Sequence, residues 1–121
     1  MALTITPVKT NGLAKHIIGD FDLRVFDVTF DNSYPDGGEP VTKANFGMET
    51  AIGFIPAFLA VKPGTGDQAF TGRWDPVAGT LQLFTADVNN AADGPLFELS
   101  AAGIAITDAS TYVARIVVVG R

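Results

Sequence analysis

The chain has 121 residues, which is the length of a single domain, and 47% of them are hydrophobic. It contains no cysteine, which excludes disulfides, thiolate catalysis and cysteine-ligated zinc within it. The net charge is −5 and the eight lysines and arginines are scattered from Lys9 to Arg121, so we expect no direct binding of nucleic acid.

Glycines and prolines punctuate the whole sequence, and the short runs between them are rich in Val, Ile, Phe, Thr and Leu. This pattern predicts one all-β domain over residues 1–121. The first run, residues 3–8, predicts a strand, and residues 1–10 form either an N-terminal arm or an edge strand.

Residues 21–30 give the clearest strand signal. Their apolar positions are 21, 23 and 25, followed by 26, 28 and 30. A continuous strand cannot keep one face inward across such a change of phase. The sequence therefore predicts a β-bulge between Val25 and Phe26.

Residues 33–40 have the composition of a tight structural turn, formed by Tyr34, Pro35, Gly37 and Gly38. Proline suits the second position of a turn and the aspartate after it suits the third, while glycine tolerates a positive φ. We expect a positive φ at Gly37 or Gly38. After this loop, a single helical turn is predicted over residues 43–46, capped by Thr42 and ending at Gly47.

Residues 51–61 are apolar in both alternating sets, which is typical of a strand buried on both sides. Pro56 lies in the middle and cannot donate a ladder hydrogen bond, so it restricts this strand to a sheet edge or a bulge. An edge strand with two apolar faces is a liability in a monomer, so we expect a neighbouring subunit to cover it. The predicted subunit or capsid interface comprises Leu3, Ile5, Val8, Ile52, Phe54, Ile55, Phe58 and Leu59.

The second half of the chain adds further strands. Residues 70–74 and 80–84 predict a hairpin, with the turn beginning at Asp75 and Gly79 supplying a positive φ. Residues 96–99 and 104–106 are short candidate strands. Residues 112–119 are apolar in both phases and predict a closing strand that is central or wedged against a partner. About eight strands favour a β-sandwich or jelly-roll-like fold, with a small partly open barrel as the alternative.

Candidate catalytic residues are few, and we expect no enzymatic activity and no cofactor. His16 is the only histidine, and no nucleophile motif accompanies it. Paired carboxylates, as a glycosidase requires, occur at Asp20 and Asp22, Asp27 and Asp31, and Asp36 and Glu39. Any acidic β protein offers such pairs, so solvated charges are the preferred interpretation.

Two loops resemble ligand-binding motifs only in part. Residues 87–98 carry Asp, Asn, Asp and Glu at positions 1, 3, 7 and 12 of a calcium loop, but they lack the glycine at position 6. We expect a polar turn there and assign no metal ligands, although the sequence leaves an ion at this loop open. Residues 62–66 are rich in glycine but lack the spacing of a phosphate-binding loop.

The segment Ser33-Tyr-Pro-Asp-Gly-Gly-Glu-Pro40, with the strand before it and Phe46-Gly47 after it, resembles a family of short virion-associated structural proteins of tailed bacteriophages. The likeness continues in Trp74-Asp-Pro-Val-Ala-Gly-Thr-Leu-Gln-Leu-Phe84, in the loop of residues 87–93 and in the ending Ala114-Arg-Ile-Val-Val-Val-Gly-Arg121. It covers most of the chain.

The resemblance implies a capsid decoration, or cement, protein that binds the outer surface of the head and ties capsomers together. It implies a homo-oligomer, commonly a trimer, whose partner is the major capsid protein. Such a protein is made in the host bacterial cytoplasm and ends in the virion. The sequence is consistent with this location, because it contains no run of about 18 apolar residues that would predict a membrane span. The alternative is a carbohydrate- or host-binding module of a phage tail or fibre, for which Trp74 and Tyr34 are candidate contact residues.

Overall fold

The fold is described by a computed structural model, which covers residues 3–9, 12–31, 34–62, 70–85, 97–98 and 112–121. Apart from one short 3-10 turn, the regular structure in these residues is β. The strands are β1 (Thr4–Val8), β2 (His16–Ile18), β3 (Phe21–Thr29), β4 (Glu39–Pro40), β5 (Ile52–Lys62), β6 (Phe70–Asp75), β7 (Thr80–Thr85), β8 (Phe97–Glu98) and β9 (Val113–Gly120).

The strands form two antiparallel sheets. The five-stranded sheet has the order β1-β3-β9-β5, and β2 pairs with the part of β3 that β1 leaves free. The four-stranded sheet has the order β4-β7-β6, with β8 also on β7. The predicted two-sheet, all-β fold is confirmed. The alternative of a partly open barrel is wrong, because the sheets do not close on each other.

The core lies between the two sheets. Val28 and Ile116 of the five-stranded sheet and Leu81 and Leu83 of the four-stranded sheet are fully buried in one cluster. Tyr112 is also fully buried, and its ring meets that of Phe70 edge-on at 5.3 Å between centroids. Its hydroxyl donates to the Phe70 carbonyl at 3.1 Å, which satisfies the one polar group of this aromatic contact.

The long central strand β3 is continuous, so the bulge predicted between Val25 and Phe26 is wrong. Its pairing with β9 runs without a shift from Asp22 opposite Gly120 to Thr29 opposite Val113. The change of apolar phase has another cause. Even-numbered residues such as Phe26 face the core, whereas the odd-numbered apolar residues lie on the other side of the sheet.

The predicted edge position of β5 and the predicted central position of β9 are confirmed. β9 is central, lying between β3 and β5, and β5 ends the five-stranded sheet as an edge strand. The β5–β9 register shifts between Ile52 and Phe54, between Phe54 and Ala57, and between Ala60 and Lys62. The second shift contains Pro56, which therefore occupies a bulge on an edge strand.

The predicted hairpin and helical turn are both present. β6 and β7 pair from Phe70 opposite Thr85 to Asp75 opposite Thr80, and Gly79 has a φ of 70°. A 3-10 helix spans Lys43–Phe46 and ends at Gly47, whose φ is 65°. At its start, the backbone N–H of Thr42 donates to the side-chain oxygen of Asn45 at 2.7 Å, which holds the first turn closed.

The 34–40 loop is tied to the four-stranded sheet. The Tyr34 hydroxyl accepts a hydrogen bond from the Leu83 N–H at 2.9 Å, and the Thr80 hydroxyl donates to the Gly37 carbonyl at 2.7 Å. Gly37 and Gly38 both have a positive φ, 83° and 95°, as expected. The turn itself is shifted by one residue from the prediction. The Gly38 N–H donates to the Pro35 carbonyl, so proline takes the first position and Gly37 the third.

Candidate interaction surface

The outer face of the five-stranded sheet, meaning the side turned away from the core, is apolar over much of its area. Because side chains alternate along a strand, the burial of Phe26 and Val28 puts the odd-numbered residues of β3 on this outer face. Directly opposed residues of neighbouring strands share a face, which extends the assignment across the sheet. We call the resulting set the apolar patch: Val8, Ile18, Phe21, Leu23, Val25, Phe54, Ala57, Leu59, Val117 and Val119.

The apolar patch is contiguous because its members lie in register. Leu23, Val119 and Phe54 form one row across β3, β9 and β5. Val8, Val25, Val117 and Ala57 form the next row, which reaches from β1 to β5. Adjacent rows on one face are separated by two residues, or roughly 7 Å, which is within reach of large side chains. The result is one apolar surface and not a scatter of single residues.

The large side chains of the apolar patch remain in contact with solvent. The exposed fractions are 55% at Ile18, 46% at Phe21, 49% at Phe54 and 61% at Leu59. Single exposed apolar residues are ordinary on a protein surface, whereas a contiguous group marks a site of association. The outer face is therefore the candidate functional surface of the chain.

A neutral ion pair borders the apolar patch. Arg115 on β9 donates to both carboxylate oxygens of Asp27 on β3, at 2.8 and 2.9 Å, directly across the strand pair. The hydrogen bond from Arg115 lowers the pKa of Asp27, and the same contact raises the pKa of Arg115. The two charges cancel, so this end of the outer face is polar but carries no net charge.

The structure divides the eight residues of the predicted interface into two groups. Leu3, Ile5, Ile52, Ile55 and Phe58 pack against the hydrophobic core from its margins. Val8, Phe54 and Leu59 lie on the outer face. Their role in contacts between chains stays a prediction, and for the first group the packing already accounts for the apolar character.

Sequence reasoning missed most of the apolar patch. Phe21, Leu23 and Val25 belong to one arm of the predicted bulged strand, and Val117 belongs to a strand predicted to be central or wedged against a partner. The signal that could have revealed the patch was the occurrence of two such strands together. Two strands that are apolar in both phases and adjacent in a sheet present apolar residues on both faces, although only one face meets the core.

Among the remaining candidate residues, His16 and Asp22 lie on the neighbouring strands β2 and β3. His16 lies opposite Leu23 on the sheet, and Asp22 is bridged by Lys15 at 3.7 Å and Arg24 at 3.6 Å. Across the part of the chain that the structure describes, no three histidine or carboxylate side chains are grouped so that they could hold a metal ion. Of the partial calcium loop, only Phe97–Glu98 falls within the described residues.

Among the carboxylates in the described residues, Glu39 is the one that the fold encloses completely. It stands opposite Leu81 on the core side of the four-stranded sheet, is 0% exposed, and neither carboxyl oxygen has a hydrogen-bond partner in the described structure. Burial raises its pKa to about 7, and the nearby charge of Asp31 adds to the increase. Burial without a hydrogen-bond partner disfavours the charged form of a carboxyl group, so Glu39 bears on stability.

Comparisons with known proteins give no further guide. No family model matches the chain, and neither the curated proteins nor the solved structures contain a match to it. Within the described residues, no helix has the length and apolar character needed to cross a membrane.

Proposed function

We propose that this chain is a structural protein that acts by association, and specifically a capsid decoration protein of a tailed bacteriophage. The observation that carries the proposal is the contiguous apolar patch on the outer face of the five-stranded sheet. The resemblance of the sequence to short virion-associated proteins indicates the phage capsid as the partner in this association.

The apolar patch supports a binding role because its exposure is costly in an isolated chain. Apolar surface gains roughly 25 cal/mol for each Å² removed from water. Phe26, Val28 and Ile116 are buried in the core, whereas Phe54 and Leu59 remain exposed on the outer face. A surface of this kind gains free energy by contact with another protein and needs no reactive group to do so.

In the proposed role, the protein binds the assembled head and contacts the major capsid protein of neighbouring capsomers. A ligand that binds the intact shell but not its separated parts stabilises the shell by its binding free energy. Many copies on one particle add their contributions, and the shell then resists the internal pressure of the packaged genome. The protein is made in the bacterial cytoplasm and acts on the virion surface.

A carbohydrate- or host-binding module of a tail or fibre is the second candidate. Such modules present aromatic rings to a sugar face in a groove. Tyr34 is buried at 4% exposure and its hydroxyl is engaged with Leu83, while Trp74 packs against the core. The exposed rings of Phe21 and Phe54 sit on an open sheet face and lack the hydrogen-bonding groups that sugars require. The geometry therefore favours protein association.

Binding assays with purified components separate these two functions. We expect the purified chain to co-sediment with phage heads assembled without it, to saturate at a fixed number of copies, and to give no signal on a glycan array. Saturable binding to a glycan, with no retention on heads, would replace the decoration role with the host-binding one.

A further inference from the structure

We infer that the apolar patch is a self-association surface, and that its partner is the outer face of a second copy of this chain. Two five-stranded sheets would stack face to face, and each copy would use the same residues. The inference rests on the proposed role in association. Because the inference concerns the free protein, dimers can be absent while binding to phage heads holds. Equally, dimers can form although the chain does not bind heads.

The size of the apolar patch fits a contact between two copies. Its four most exposed side chains each leave on the order of 100 Å² in solvent, and the half-buried members bring the apolar area to about 500 Å². A standard interface covers about 800 Å² on each partner, and somewhat more than half of that area is apolar. The apolar area of the patch is therefore about as large as the apolar part of a standard interface on one partner.

The charge of the outer face also fits a second copy. The chain carries a net charge of −5, so two copies repel each other through most of their surfaces. On the strands of the outer face, the charged side chains that the structure describes are Asp27 and Arg115, and they neutralise each other. Two outer faces can therefore meet over the rows of the apolar patch without like charges opposing there. Lys62, opposite Val113 at the far end of β5, lies outside these rows.

The edge of the same sheet is a poor alternative site. Strand addition needs a straight edge with regularly spaced amide donors. Strand β5 has three register shifts and contains Pro56, which has no N–H to donate. Bulges and proline are the features that protect sheet edges against pairing. The sheet is therefore open to contact on its outer face and protected against strand pairing at its β5 edge.

If both copies use the outer face for their contact, the expected assembly is a dimer. An isologous contact uses the same surface on both partners and closes at two copies, whereas a trimer requires two different surfaces on each copy. Two twisted sheets of the same hand pack with their strands within about 30° of each other, so each outer face provides the shape that the other needs. The sequence resemblance implies trimers, and the geometry of the outer face points to dimers.

The test uses sedimentation of the free chain, with matched substitutions that each add one negative charge. Leu59→Glu places a carboxylate on the outer face opposite Arg115, where the isolated fold tolerates it. Val77→Glu adds the same charge at a residue that is 95% exposed in the β6–β7 turn, away from the patch. We expect wild type and Val77→Glu to form dimers between about 1 and 500 μM, with Leu59→Glu dissociating at least about a hundredfold more readily.

A second measurement covers the case in which Leu59→Glu fails to fold. The chain has no cysteine, so Leu59→Cys and Val77→Cys each carry one thiol for maleimide labelling. In a face-to-face dimer, labelling of Leu59→Cys slows by about tenfold as the concentration rises through the dissociation constant, while Val77→Cys is unchanged.

Several outcomes would overturn the inference. These are a monomer at every concentration, a mass of three chains, equal dissociation of both glutamate variants, and concentration-independent labelling at position 59.

Discussion

Phe54 lies directly opposite Val119 in the pairing of β5 with β9, and the two side chains share the outer face of the five-stranded sheet. Val119 is 6% exposed, whereas Phe54 is 49% exposed. The inner residue of the pair is thus covered by its neighbours while the edge residue is left in solvent. The same contrast holds across the outer face: its apolar side chains pack against one another, and no layer formed by the described residues covers them.

The first prediction uses neighbouring residues on opposite faces of β5. Phe58 packs on the core beside Gly72 and Phe30, whereas Leu59 points to solvent. Phe58→Ala should lower the free energy of unfolding by about 3 kcal/mol, since it leaves a cavity between the sheets. Leu59→Ala should lower it by less than about 1 kcal/mol. Urea titrations at low protein concentration measure both, and equal losses would contradict the assignment of the faces.

Strand β5 shows which structural features could be predicted from the sequence and which could not. Pro56 predicted a sheet edge or a bulge, and the strand has both. Simple alternation, however, groups Phe54 with Phe58 and Ile55 with Leu59. The register shifts mix these sets, so that Ile55 and Phe58 pack inward while Phe54 and Leu59 face outward. A one-residue shift reverses the face of every later side chain, and sequence alone does not place it.

Other features were accessible to sequence reasoning in different degrees. The β6–β7 hairpin and the glycine turn follow from local chemistry, because proline, aspartate and glycine restrict the backbone wherever they occur. The burial of Glu39 was not accessible. It depends on the pairing of β4 with β7, a contact between segments far apart in the chain.

The second prediction concerns the two glycines of the 34–40 loop. Both have a positive φ, but a Cβ at Gly37 would meet open space, whereas one at Gly38 would lie 2.7 Å from the Leu81 carbonyl oxygen. Gly37→Ala should cost about 1 kcal/mol from backbone strain alone. Gly38→Ala should cost clearly more, because a clash with the backbone is added. Thermal unfolding of both variants tests the difference, and equal midpoints would contradict the close approach.

The third prediction is a pH dependence that arises at Glu39. Its pKa is raised to about 7 in the folded chain from 4.5 in the unfolded one, so the folded state binds more protons between these values. Stability should therefore fall as the pH rises from about 4.5 to 7, by on the order of 2–3 kcal/mol.

Glu39→Gln removes the titrating group while keeping its shape. Urea unfolding of this variant should depend much less on pH over the same range. An equal slope in wild type and variant would show that another group is responsible.

The fourth prediction concerns Asp27 and Arg115, whose contact lowers the pKa of Asp27. A lowered pKa gives stability that is present above the ordinary pKa of aspartate and lost as the pH falls through the lowered value. Because both side chains retain solvent contact, the coupling should be at most about 1 kcal/mol. A double-mutant cycle with Asp27→Asn and Arg115→Gln measures it. A coupling of several kcal/mol would indicate a contact shielded from water.

The decoration role is tested most directly by heat-induced release of DNA from phage particles. Particles assembled without this protein should form, yet release DNA at a lower temperature than complete particles, and added protein should restore the difference. Salt should weaken the effect little, because an apolar contact is not screened. Identical release curves with and without the protein, together with lost adsorption to host cells, would contradict the decoration role and support host binding.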